Sequence, residues 1–246
     1  MSNKITRFWE IDFFRGIGII LMIIYHILYD LNYFDIYSTD FDSLLFRFYR
    51  TIAASVFIVI VGVSLSLSYS RIQSKLSKKD IEKKYLFRGL KIFGLGLLIT
   101  LISWLFIPEG FIVFGILHLI GISIILAYPF LHLKIENLPI GLTFIIVGIY
   151  LKTFTVNFYW LLWLGFIPAG FFTVDYFPLL PWFGVVLIGI IIGKSFYKDN
   201  KRVFSLWDLS KYLPIRFICF LGRHSLVIYL LHQPLFLGVI YLFYFN

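Results

Sequence analysis

The sequence predicts an all-α fold: a polytopic integral membrane helix bundle of about seven transmembrane helices plus one outer interfacial or re-entrant segment. Three observations predict it. Of 246 residues, 60% are apolar or aromatic and only 14% charged; the mean hydropathy is +0.91; and apolar runs long enough to cross a bilayer recur along the whole chain. At roughly 20 residues per span the length holds about seven or eight spans and leaves no room for a soluble catalytic domain. Residues 1–246 therefore read as a single membrane domain. The 29 Phe, 16 Tyr and 6 Trp against 18 Gly and 8 Pro exclude a disordered or collagen-like chain, and the single cysteine, Cys219, excludes an internal disulfide.

The runs fall at residues 9–31, 44–69, 86–107, 111–131, 138–151, 176–193 and 224–243. The first reads as a retained helix rather than a cleaved signal, because it holds Arg15 and His26 and no small-residue cleavage site follows it. The second opens after an acidic loop, and the third within a basic stretch from Arg71 to Lys91. Gly115 and Gly121 mark the fourth as a helix others can approach closely. The fifth is short. The sixth opens at Pro178 and Pro181, ordinary helix-entry chemistry, and the last opens at Gly222-Arg223-His224-Ser225.

Positive-inside counting fixes the expected sidedness. With the N-terminus inside, Lys4, Arg7, the run Arg71 to Lys91, Lys134 and the run Lys194 to Arg223 all collect on the cytoplasmic side. Only Arg47, Arg50 and Lys152 of the 22 Lys and Arg fall opposite, with Arg15 inside the first span. A full span at residues 153–172 would throw the Lys194 to Arg223 block outside, so that apolar stretch is expected to lie at the outer interface, where Trp160 and Trp163 suit the headgroup level. Orientation and an anionic inner leaflet account for the net charge of +9, so nucleic acid is not an expected partner. The expected location is a plasma membrane.

Ionisable groups inside a bilayer are costly, which makes them the best pointers to chemistry. In the first span Arg15 and His26 differ by only ~20° around a helix, and Asp12 and Asp30 lie within ~60° of Arg15, so the four share one polar stripe. Arg15 and His26 stand about 16 Å apart along it, at ~1.5 Å per residue. The ordinary reading pairs Asp12 with Arg15 and His26 with Asp30; the stripe as a whole favours function. In the last span Ser225, Tyr229 and His232 fall on one face, with His232 in mid-span. His118 and Asp175 are each equally readable as packing groups or as site-lining groups. Arg47 and Arg50 either pair with Asp40 or Asp42 or clamp an anionic or sugar-bearing acceptor. No HExxH, CxxC, GxSxG, Walker A or dinucleotide fingerprint occurs in a supporting context, and no metal site is expected. His132 and His224 read as solvated surface groups.

Glu10-Ile11-Asp12-Phe13-Phe14-Arg15-Gly16 followed by His26 resembles the start of transmembrane acyltransferases. So do Phe114-Gly115-Ile116-Leu117-His118, Asp175-Tyr176-Phe177-Pro178 with Pro181-Trp182, and the segment from Gly222 to His232. Nearly the full length resembles the small prokaryotic membrane proteins grouped with the catalytic domain of heparan-alpha-glucosaminide N-acetyltransferase. The resemblance implies transfer of an acyl group, acetyl in the first instance, from cytoplasmic acetyl-CoA or another acyl-CoA to an extracytoplasmic acceptor such as a sugar or amino sugar. It implies His26, Asp30, His118 and His232 as catalytic groups. Asp12, Arg15, Arg223, Ser225 and Tyr229 would contact the donor, and Arg47, Arg50 and Asp175 the acceptor. Arg15 and His26 match an Arg and a His eleven residues apart that are functional in the related O-acyltransferases of surface polysaccharides. The chain departs from the lysosomal enzyme between the first two spans, where it offers Asp35, Asp40, Asp42, Arg47 and Arg50 but no histidine. The expected partners are a lipid bilayer, the acyl donor and the acceptor, with room for a homodimer. A proton-coupled transporter using the same His and Asp groups and a non-enzymatic scaffold are the competing classes. Neither the first-span nor the last-span motif has the second copy that common transporter designs carry.

Overall fold

A computed structural model describes residues 7–41, 43–198 and 200–244; Lys4 and Asp42 lie outside the described residues. The chain is almost entirely helical: α1 (Trp9–Tyr33), α2 (Leu44–Ile72), α3 (Lys78–Phe106), α4 (Ile116–Leu126), α5 (Asn137–Leu151), α6 (Leu179–Phe196), α7 (Leu213–Arg223) and α8 (Ser225–Tyr244). Five of these, α1, α2, α3, α6 and α8, are long and apolar enough to cross a membrane. The fourth and fifth expected spans are apolar but shorter, at 11 and 15 residues.

Element ends differ from the hydropathy reading for local reasons. The helix of α4 begins at Ile116 rather than 111 because Asp175 accepts its Ile116 N–H at 3.2 Å and Gly115 is its cap. It ends before Pro129, and one 3-10 turn, Tyr128–Leu131, completes the segment. Ser70 and Arg71 end the apolar run without breaking the helix, Arg, like Lys, being a good helix former, so α2 runs on to Ile72. For the same reason α3 starts at Lys78, where the Ser77 hydroxyl caps the Asp80 N–H at 3.2 Å. Residues 153–172 form no spanning helix. They hold a two-residue parallel pair, Thr155–Val156 with Ile167–Pro168, and the 3-10 turn Leu162–Leu164, whose Leu162 carbonyl accepts the Tyr176 hydroxyl at 2.7 Å. The basic stretch before the last span, read as loop, contains α7, a helix entered through Pro214.

The chain divides into two compact units. The first comprises residues 1–60 and 205–246, and so α1, the start of α2, α7 and α8. In it α7 lies against α1, where the Gly16 backbone meets the Ile218 carbonyl and the Gly222 backbone meets the Asp12 carbonyl, too close for a Cβ at either glycine. Cys219 on the same face of α7 donates to the Trp9 carbonyl at 3.4 Å. The end of α1 is set by Asp35 at φ 57°, a left-handed conformation that Asp tolerates better than most residues. The second unit, residues 61–204, pairs α3 with α4 and α5 with α6. A Cβ at Gly121 would stand 2.6 Å from the Phe93 nitrogen, which shows how closely α3 and α4 approach.

Candidate active site

Burying an imidazole in an apolar helix leaves each ring nitrogen to be satisfied or left for chemistry. In the first unit the His26 Nδ1 lies 2.8 Å from the Met22 carbonyl one turn back, and the His232 Nδ1 lies 2.7 Å from the Tyr229 carbonyl. A carbonyl oxygen only accepts, so in both rings Nδ1 carries the hydrogen. In the neutral rings Nε2 therefore carries the lone pair. The two rings meet edge to face with centroids 4.9 Å apart and planes at 80°. The Nε2 of His232 is buried and has no hydrogen-bond partner among the described residues.

Asp30, one turn beyond His26, is buried at 4% exposure. Its two carboxylate oxygens accept the Gln233 Nε2 amide at 2.8 and 2.9 Å. The expected His26–Asp30 hydrogen bond is replaced: the imidazole turns back to its own helix backbone, and Asp30 turns to α8. Four residues along a helix is ~40° of rotation, enough to set His26 against His232 and Asp30 against the next residue of α8. Pro234 follows directly, and without an N–H it removes one rung of the α8 ladder beside this pair. An apolar cavity of about 580 Å³ opens against Asp30, lined by Ile27, Leu31, Phe236 and Phe243 among others.

Arg15 donates to Asp12 at 3.1 Å, and Arg7 donates to the second Asp12 oxygen at 2.6 Å. The carboxylate is buried and thus holds two guanidinium groups near the start of α1. Ser225 is buried at the first position of α8, and Arg223 is exposed at the end of α7. Tyr229 serves His232 through its backbone carbonyl, while its ring lies 5.6 Å from that imidazole. Arg47 and Arg50 are exposed in the first turns of α2, and Asp40 accepts the Ser43 N–H at 3.1 Å.

His118 and Asp175 belong to the second unit and have structural partners there. The Gly115 N–H donates to His118 Nδ1 at 3.1 Å, so the ring hydrogen sits on Nε2, 3.3 Å from the Thr100 hydroxyl. Thr100 in turn donates to the Ile112 carbonyl at 2.6 Å. Both His118 nitrogens are spent on the entry to α4, and Asp175 caps the same helix start. Sequence reasoning passed over Gln233 and Arg7. Gln233 carried a signal, being an amide inside an apolar span; for Arg7 there was none, because a charge ahead of a first span is ordinary. Among the described residues no group of three or more His, Cys, Asp or Glu is placed to hold a metal ion.

The family model described as heparan-alpha-glucosaminide N-acetyltransferase, catalytic, matches residues 7–234. No curated protein and no solved structure matches the chain.

Proposed function

The chain belongs to the heparan-alpha-glucosaminide N-acetyltransferase catalytic family, and from that membership we propose that it carries an acyl group, acetyl in the first instance, from cytoplasmic acyl-CoA to a hydroxyl or amine acceptor on the far side of the membrane. Membership and the five long apolar helices make it a membrane-embedded acyltransferase-like protein. The sidedness, with the N-terminus cytoplasmic and the protein in a plasma membrane, rests on the distribution of Lys and Arg. A sugar or amino sugar suits the family as acceptor.

The observation that carries the reading is the His26–His232 pair, two imidazoles with Nδ1 fixed on backbone carbonyls and Nε2 presented as a base. His26 Nε2 takes the proton from the acceptor hydroxyl or amine as that atom attacks the thioester carbonyl carbon. The C–S bond breaks, the coenzyme A thiolate leaves, and the proton on His26 passes to it. His232, in ring contact, accepts or steadies the charge that develops on His26. Arg7 and Arg15 on Asp12 form a cationic pair suited to a donor phosphate. Direct attack and transfer through an acyl-histidine use the same Nε2, and acid-quenched labelling with radioactive acetyl-CoA separates them.

The test is acetyl-CoA turnover by detergent-purified protein across a panel of sugar and amino-sugar acceptors, with His26→Ala and Arg15→Ala beside wild type. Loss of turnover in His26→Ala with donor binding retained, and weakened donor binding in Arg15→Ala, is the expected pattern. Substrate movement in liposomes without any acyl-CoA would move the protein to the transporter class.

A further inference from the structure

The second unit contains a cation-lined cavity that the acyl-transfer reading does not use. It measures about 480 Å³ and lies among the last turns of α2, the turn after α4 and the end of α6. Lys134, Lys194 and Lys198 line it together with His132, Tyr69 and Ser70, and no Asp or Glu among the described residues does. We propose that this cavity is a binding site for a phosphate-bearing anion, supplied either by a soluble nucleotide or by the headgroup of an anionic phospholipid.

The construction of the cavity favours a ligand over scattered loop charge. Lys194 is anchored: its ammonium donates to the carbonyls of Leu131 at 2.5 Å and of Leu133. An ammonium has three N–H donors, so one is left for the cavity. Tyr69 is buried, and its hydroxyl is hydrogen-bonded to His132 Nδ1 at 2.9 Å, which fixes the wall between α2 and the turn after α4. Lys134 and Lys198 are exposed at the rim and cost little to mobilise. The nearby carboxylate of Glu136 is outside the lining of the cavity and accepts the Lys134 N–H at 2.7 Å. Backbone N–H groups, its own first, hold Glu136 below the usual carboxylate range, with help from the charges of Lys134 and Lys194. Orientation in a membrane needs basic residues in loops but gives no reason to gather three around a concave, hydroxyl-bearing wall. A tetrahedral phosphate, with several acceptor oxygens and at least one negative charge, answers both the fixed ammonium and the mobile ones.

The test uses the full chain, purified in detergent and titrated separately with 3′,5′-ADP, short-chain phosphatidylglycerol and short-chain phosphatidylcholine, with thermal unfolding and native mass spectrometry as readouts. Saturable stabilisation by 3′,5′-ADP that Arg15→Ala keeps and the Lys134/Lys198 double variant loses identifies a soluble nucleotide at this cavity rather than at the donor arginines; retention of phosphatidylglycerol over phosphatidylcholine identifies the lipid. The K134A/K198A double variant changes exposed side chains and folds as wild type, and its Kd for the active anion rises at least tenfold. Lys194→Gln gives a larger loss if it folds, and the double variant decides the matter if it does not. Failure of folded wild type to bind either anion, or equal binding by wild type and the double variant, overturns the site. His26→Ala binds the anion as wild type does, so loss of acyl transfer and loss of this site are read separately.

Discussion

His26 on α1 and His232 on α8 stand edge to face, ring centroids 4.9 Å apart, each with its Nδ1 tied to a carbonyl of its own helix. Neither ring needs the other for its Nδ1 hydrogen bond. What they share is the ring contact itself, and at that distance a positive charge on one imidazole is felt by the other.

Removing His232 should therefore lower turnover without weakening the donor. His232→Gln is expected to cost about 10- to 100-fold in kcat, toward the low end of general acid–base effects, with the acyl-CoA Kd unchanged. In the His26→Gln/His232→Gln double variant the losses should not multiply, because groups acting as a unit are not additive. Steady-state kinetics on the three variants checks both statements.

Asp30 and Gln233 form a second, independent link between α1 and α8. Gln233→Leu leaves a buried carboxylate without its amide and should destabilise the protein by about 2 kcal/mol, the scale of a hydrogen bond to a charged group. Adding Asp30→Asn should return part of that loss. A double-mutant cycle on Tm in detergent measures the coupling, and additive losses would show that the two side chains do not interact.

These two links also show how far the sequence reaches. The cost of placing His26, Asp30 and His232 in apolar helices singles them out from composition alone, and the spacing of Arg15 and His26 points to the family. That His26 faces His232, and Asp30 faces Gln233, depends on how two helices from opposite ends of the chain pack, which periodicity does not encode. His118 was singled out by the same rule of cost, yet its nitrogens are spent on Gly115 and Thr100 at a helix entry. The helix α7 is hidden in the sequence because Lys211, Arg216 and Arg223 read as loop charge, although Cys219 and Gly222 give it a face for α1.

That face is tight. Gly222→Ala places a methyl group against the Asp12 carbonyl, and overpacking of this kind should cost about 1–3 kcal/mol. A lowered Tm in detergent is the expected result, and because Asp12 holds Arg7 and Arg15, weaker donor binding should accompany it.

Cys219 reports on the same contact. Burial, with the carboxylates of Asp12 and Glu10 adding to it, raises its thiol pKa, so less thiolate is present at any given pH. Alkylation at pH 8 should be slow in the folded protein and reach the rate of a free thiol after denaturation. Gly222→Ala should accelerate it, as followed by mass spectrometry.

The most direct test of the central claim is acetyl-CoA turnover by purified protein bearing His26→Gln, run beside wild type with acetyl-CoA binding measured on both. The expected result is donor binding within twofold of wild type and a kcat lowered by about 10²-fold or more, the range for loss of a positioned general base. Wild-type turnover in His26→Gln would contradict the claim.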